Sequence, residues 1–216
     1  MPKQPNPDRL AKLRRLLEQR QPDMTIILEN VWDPHNLSAV LRTADAVGMM
    51  EVYALYTEPF PRSRLRLGKK SSAGTRKWVD VKMFENAEDC FSEVRKRYQS
   101  IYGLALHENS EAIYQADFTK SFALVFGNEQ NGLSPEVKKA CDALLHIPMV
   151  GMAESLNISV ACAVTAFEAM RQRSANGQYN QANFSAEQLE VLVEDYIERG
   201  RNRKGEILAE KYSEGN

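Results

Sequence analysis

Cysteine and histidine are scarce in this chain. Its 216 residues hold three of each, Cys90, Cys141 and Cys162 with His35, His107 and His146. None stands at Cys-x-x-Cys or His-Glu-x-x-His spacing, so neither a metal site nor a disulfide framework is expected. The thiols fall in apolar patterns and read as buried, reduced side chains. Long apolar runs are missing too: nothing approaches the roughly 20 residues that cross a bilayer. Residues 1–7 (MPKQPNP) lack the apolar stretch that begins a secretory signal. A cytoplasmic protein with no membrane partner is expected. Net charge is also nearly absent, at −1, which argues against a polyanion binder working through bulk charge.

What is present describes an ordinary globular chain, 43% apolar and 26% charged, long enough for one large domain with a sizeable core. Charge is unevenly placed. Seven basic residues (Arg62, Arg64, Arg66, Lys69, Lys70, Arg76, Lys77) lie between positions 62 and 77 with no acidic one among them, and such a local patch makes an electrostatic footprint.

Asp8 is a candidate cap for a first helix in which Leu10, Leu13, Leu16 and Leu17 share a face. Short apolar strands are predicted at residues 24–28, 51–55, 79–81, 101–106, 122–126 and 144–147. Helical patterns separate them: one with Asn36 as its N-cap and Gly48 beyond its end, one capped by Asn86, one opening at Ser134-Pro135, and one running to about Arg173. Strands alternating with helices imply βαβ units, hence a mainly parallel sheet covered on both faces. Residues 57–77 read as a long loop. Ser185 and Gln188 form a capping-box start for a final helix. The expected divisions are a helical extension over residues 1–22, the α/β domain over 23–173, and a linker with a second helical extension over 174–216.

Three polar turns follow three apolar strands, at residues 30–42, 127–133 and 147–157. In parallel sheets ligands gather beyond the carboxyl ends of the strands, so these turns are candidates to share one site. Their sequences, NLSAVLRTADAVG (36–48), FGNEQNGL (126–133) and IPMVGMAESLNISVA (147–161), resemble the three ordered motifs of SpoU-type RNA 2'-O-ribose methyltransferases of the SPOUT superfamily. The resemblance extends from the first helix and Arg20-Gln-Pro-Asp23 to about Tyr179. It is greatest to the branch that methylates guanosine 18 in the D-loop of tRNA; ribosomal RNA, the tRNA wobble position, and a non-catalytic RNA-binding module are the alternatives.

The resemblance implies a SPOUT (alpha/beta knot) fold with a C-terminal trefoil knot, a homodimer, and S-adenosylmethionine held by knot backbone. The Gly-rich fingerprint of Rossmann-type methyltransferases is absent, in agreement. Carried onto this sequence, the catalytic positions are Arg42, Asn36, Glu129, Ser155 and Asn157. Those lining the cofactor are Leu104 or its neighbour Leu106, Gly127, Ile147, Met149, Gly151 and Leu156. Arg42 would read as a solvated helix residue without the motif. Because a guanidinium is almost never deprotonated, stabilising a 2'-alkoxide or gripping a phosphate is physically easier for it than acting as a base. Phosphates of tRNA are expected against Arg9, Arg14, Arg62, Arg64, Arg66, Lys69, Arg171 and Arg173.

Overall fold

The structure, a computed structural model, describes residues 6–58 and 77–201. Its described elements run α1 (Pro7–Glu18), β1 (Met24–Glu29), α2 (Pro34–Ala46), β2 (Glu51–Leu55), β3 (Asp80–Phe84), α3 (Ala87–Arg95), β4 (Ser100–Leu104), β5 (Glu111–Ala112), β6 (Phe122–Phe126), α4 (Pro135–Ala140), β7 (Ala143–His146), α5 (Ile158–Ala175) and α6 (Ala186–Arg201). The strands form one sheet in the order β3-β2-β1-β6-β4-β7-β5, and every pairing is parallel.

The three strands with every residue buried, β1, β2 and β6, are those without polar alternation in their sequences, because helices cover both faces of the sheet. Successive residues of a strand point to opposite sides. Ile26, Leu28, Leu124 and Phe126 therefore meet α2 and α5 through Leu37, Val40, Leu41, Cys162 and Ala166. Ile27, Ala123 and Val125 meet α3 and α4 through Cys90, Phe91, Val94 and Val137.

The two terminal extensions form one unit. Leu17 of α1 packs on Val193 and Tyr196 of α6, and Tyr196 stacks on Trp78 with centroids 5.4 Å apart. The capping box is reciprocal: Ser185 N–H donates to Gln188 Oε1 at 2.9 Å, and Gln188 N–H donates to Ser185 Oγ at 3.3 Å. No helix among the described residues is long and apolar enough to cross a membrane.

Several local expectations change. Asn6, not Asp8, caps α1, and Asp33, not Asn36, caps α2, each followed by a proline at the first helical position. The fourth predicted strand stops at Leu104, and the two-residue β5 is too short to carry a periodic signal.

The sheet order has one feature with topological weight. β4 and β5 are consecutive in sequence, yet β7 lies between them, paired with both. Residues 105–110 therefore arch across the carboxyl end of β7, where the chain leaves towards α5. Both feet of the arch are tied to β7: Ala105 N–H donates to Leu145 O and Ile113 N–H to His146 O, each at 2.9 Å. An exit beneath an arch is consistent with the knot that the motifs imply.

Candidate functional site

All three polar turns lie at the carboxyl edge of the sheet, after β1, β6 and β7. A continuous hydrogen-bond chain links them. Asn36, in the first turn of α2, donates from Nδ2 to Glu129 Oε1 in the turn after β6. Its Oδ1 accepts from Asn157 Nδ2 at 3.1 Å. Asn157 caps α5, its Oδ1 accepting from Ser159 N–H at 2.9 Å and Ser159 Oγ at 2.6 Å. Because Asp33 has taken over capping of α2, the Asn36 amide is released for this task.

Asn36 is buried, whereas Glu129 and Asn157 are exposed, so the chain runs from the interior to an open rim. Arg42 stands on that same α2, exposed, six residues beyond Asn36. α2 and α5 pack through Leu37, Val40, Leu41, Ile158, Cys162 and Ala166, which fixes the two helix starts relative to each other. Ser155 lies exposed in the turn before the α5 cap, outside the helix.

The turn after β6 is unusually tight. A Cβ on Gly127 would lie 2.1 Å from Gly132 C and 2.2 Å from Gly132 O, so the chain closes on a position where only hydrogen fits. Asn128 and Gly132 exchange both backbone hydrogen bonds, at 3.2 and 2.9 Å, and Asn128 Oδ1 accepts from Gln130 and Asn131 N–H. Gly132 has φ +63°, in the left-handed region that favours glycine. Glu129 is thus presented from a closed turn.

The expected cofactor residues line the neighbouring turns. Leu104 ends β4 and Ile147 follows β7, both half-buried against the core. Leu106, Met149 and Leu156 are exposed apolar residues at the same edge, and a Cβ on Gly151 would meet open space. Apolar side chains beside uncrowded backbone suit an adenine and a thioether chain better than a metal or a polyphosphate. Burial pushes the thiols of Cys90 and Cys141 up to about 12 and that of Cys162 further still, which leaves them poor nucleophiles.

Two supporting residues at the start of the first turn were not singled out in the sequence. Asn30, with φ +50°, donates to Thr57 Oγ1 at 2.9 Å and accepts from Thr57 N–H at 3.0 Å, tying the exits of β1 and β2. Glu29 is buried and accepts from Ser134 N–H at 2.9 Å, anchoring the far end of the Gly127 turn. The signal for both was a polar pair at the end of a buried apolar strand.

The chain matches the SpoU rRNA Methylase family model over residues 23–167. It belongs to the SpoU methylase family. A relative from Thermus thermophilus, a tRNA (guanosine(18)-2'-O)-methyltransferase, is 38% identical over 191 residues, which cover 88% of this chain and 96% of that one. Among solved structures, the Aquifex aeolicus TrmH/SpoU tRNA modifying enzyme has a TM-score of 0.80 at 34% identity, covering 89% of this chain and 96% of that one. An AdoMet-bound rRNA methyltransferase from Sinorhizobium meliloti has a TM-score of 0.58 at 31% identity, covering 74% of this chain and 59% of that one. Members of the SpoU family use S-adenosylmethionine, and this chain's cofactor is the same.

Not every expected RNA contact stands where an RNA could touch it. Arg62, Arg64, Arg66 and Lys69 lie outside the described residues. Arg9 is exposed on α1, against Gly200 of α6. Arg14 is half-exposed and forks onto Glu190, and Arg171 is 66% exposed beside Glu168 at 2.8 Å. Arg173 is a correction: it is fully buried, paired with Asp23 at 2.6 Å, and its other donors bond Gln21 and the carbonyls of Phe118 and Lys120. Its position on the inner face of α5 turns it into the core, away from any phosphate.

Proposed function

We propose that this protein transfers a methyl group from S-adenosylmethionine to the ribose 2'-hydroxyl of guanosine 18 in tRNA. The observation that carries this reading is the chain Asn157–Asn36–Glu129, which joins three motif turns, with Arg42 further along the helix that carries Asn36. When bound, S-adenosylmethionine supplies a methyl group already activated by its sulfonium. The protein's remaining tasks are alignment and handling of one proton. Arg42, a permanent cation with a planar fork, holds the developing 2'-oxyanion or the adjacent phosphate. Asn36 and Asn157 have spent both ends of their amides, so they position, while Ser155 stands at the rim to meet the ribose. Arg9, Arg171 and the basic segment at residues 62–77 grip phosphates without reading the base.

A homodimer completes the proposal. Val150, Met152, Leu156 and Val160 are exposed, Val150 and Met152 almost fully, in and just after the last motif turn, with Phe167 further along α5. Exposed apolar side chains gathered in one stretch of chain suit an interface, and a second copy covers them with the site alongside. A tRNA substrate fits better than ribosomal RNA. The chain spans almost the whole Aquifex tRNA enzyme but about three fifths of the Sinorhizobium rRNA enzyme.

The test is incubation with methyl-labelled S-adenosylmethionine and unmodified tRNA, followed by nuclease digestion and mass spectrometry. 2'-O-methylguanosine at position 18 is expected. Label at the wobble position or in ribosomal RNA alone would move the substrate. Label on a base, or on no RNA, would overturn the reading.

A further inference from the structure

The arch over β7 is closed by two side chains with no part in the chemistry above. Ser110, at the end of the arch, lies with Oγ 3.0 Å from His146 Nδ1, and His146 is the last residue of β7. Ser110 also shapes the arch itself. Its Oγ donates to His107 O at 2.7 Å and accepts from His107 N–H at 3.2 Å, and Ser110 N–H donates to His107 O at 3.0 Å. Asn109 N–H donates to His107 Nδ1 at 3.2 Å, so this short turn is fully tied.

A hydroxyl has one hydrogen. The shorter bond, to the His107 carbonyl, takes it, so His146 must be the donor to Ser110, with its proton on Nδ1. That assignment rests on the hydrogen-bond network, and it makes the bond directional. Each partner sits beside one wall of the cofactor site. Leu106 is in the arch, and Ile147, Met149 and Gly151 follow His146 immediately.

We propose that Ser110 and His146 are positioning residues, a clasp that fixes the arch against the chain leaving β7 and so sets the spacing of the two cofactor-binding turns. Neither is among the residues assigned above to the RNA or to methyl transfer. Their loss weakens S-adenosylmethionine binding and raises its KM while leaving kcat at saturation, and KM for tRNA, unchanged. The proposal rests on the assignment of those two turns to the cofactor.

The experiment is calorimetric titration of the full-length protein with S-adenosylmethionine, plus steady-state kinetics. Ser110→Ala and His146→Gln are each expected to weaken binding about tenfold, and the double variant to be no weaker than either, as for two ends of one interaction. His146→Asn, whose Nδ2 falls near the position of the imidazole Nδ1, restores binding to within about twofold of the parent by this geometry. A structural role alone would not separate Asn from Gln. Additive losses, equal behaviour of Asn and Gln, or a change in KM for tRNA would overturn the clasp. Leu156→Asp is the control on the underlying assignment. If it too leaves cofactor binding intact, the turns are not the cofactor site. If it weakens binding while Ser110→Ala does not, only the clasp is wrong.

Discussion

Arg173→Ala separates folding from RNA recognition. The guanidinium makes five hydrogen bonds: one from Nε to Phe118 O, two from one terminal nitrogen to Gln21 and Asp23, and two from the other to Asp23 and Lys120 O. It also lies over the Phe122 ring, 5.3 Å from its centroid. Removing one partner of a buried pair costs about 3–5 kcal/mol. Asp23 is 40% exposed and can be rehydrated, which discounts the ionic part. The Lys120 carbonyl is only part-buried and water can replace its donor, whereas the Phe118 carbonyl and the Gln21 amide oxygen are orphaned in the interior at about 1–3 kcal/mol each. A net loss of about 3 kcal/mol follows. For a chain of this size that is roughly 6–12 °C in Tm, or about 1 M in urea midpoint if the slope is about 3 kcal/mol per molar. Urea unfolding followed by circular dichroism, at fixed protein concentration, is the assay. Arg171→Ala serves as comparison, with parent stability and weaker, less salt-dependent tRNA binding. An Arg173→Ala protein with the parent's midpoint and selectively weakened tRNA affinity would refute the reasoning.

Arg42→Ala should abolish methyl transfer while calorimetric S-adenosylmethionine binding survives; full turnover would reject the role given to it. Gly127→Ala should displace the Glu129 turn, because the new carbon would fall 2.1–2.3 Å from backbone of Gly132 and Leu133. A drop in kcat, with a stability loss of about 2 kcal/mol, is expected from kinetics and melting. Glu51 accepts from Tyr53, Tyr98 and Arg97 and pairs with Lys82. Burial works to raise its carboxyl, but hydrogen bonds from Tyr53 and Lys82 and the charge of Arg97 outweigh it and hold the group below its ordinary 4.5. A depressed folded value contributes stability that is full above 4.5 and is lost as pH falls through the folded value. Glu51→Gln should therefore be less stable at pH 7 and flatten the acid limb of urea stability, and an unchanged slope would discard this account.

Much of the scaffold was legible because the physics was local. Strands β2 and β6 and the start of α4 fall where apolar runs and Ser134-Pro135 place them. The site was legible through its motifs, but its wiring was not. Asn36 reads as a cap because short amides at helix starts usually are caps. Only the structure shows that Asp33, one turn earlier, does that work and leaves Asn36 to bridge Glu129 and Asn157. Arg173 reads as a surface cation because a charge at the end of a helix usually is. The Asp23 that buries it is 150 residues away, beyond the reach of any periodicity.

The order of the last strands was the least legible feature, and it matters most for the site. Consecutive strands usually neighbour one another, so β4 and β5 would be paired directly and β7 left at an edge. With β7 inserted instead, the arch at residues 105–110 and the exit at residues 147–157 both lie at the carboxyl end of β7. In the proposed cofactor site an ordinary βα turn would supply one wall, whereas this order supplies two, held by backbone bonds at Ala105 and Ile113. Two fixed walls lower the ordering cost of binding a flexible cofactor. The same insertion aims the start of α5, and with it Asn157, at Asn36. One topological choice thus sets both the two turns proposed for the cofactor and the hydrogen-bond chain that starts from α2.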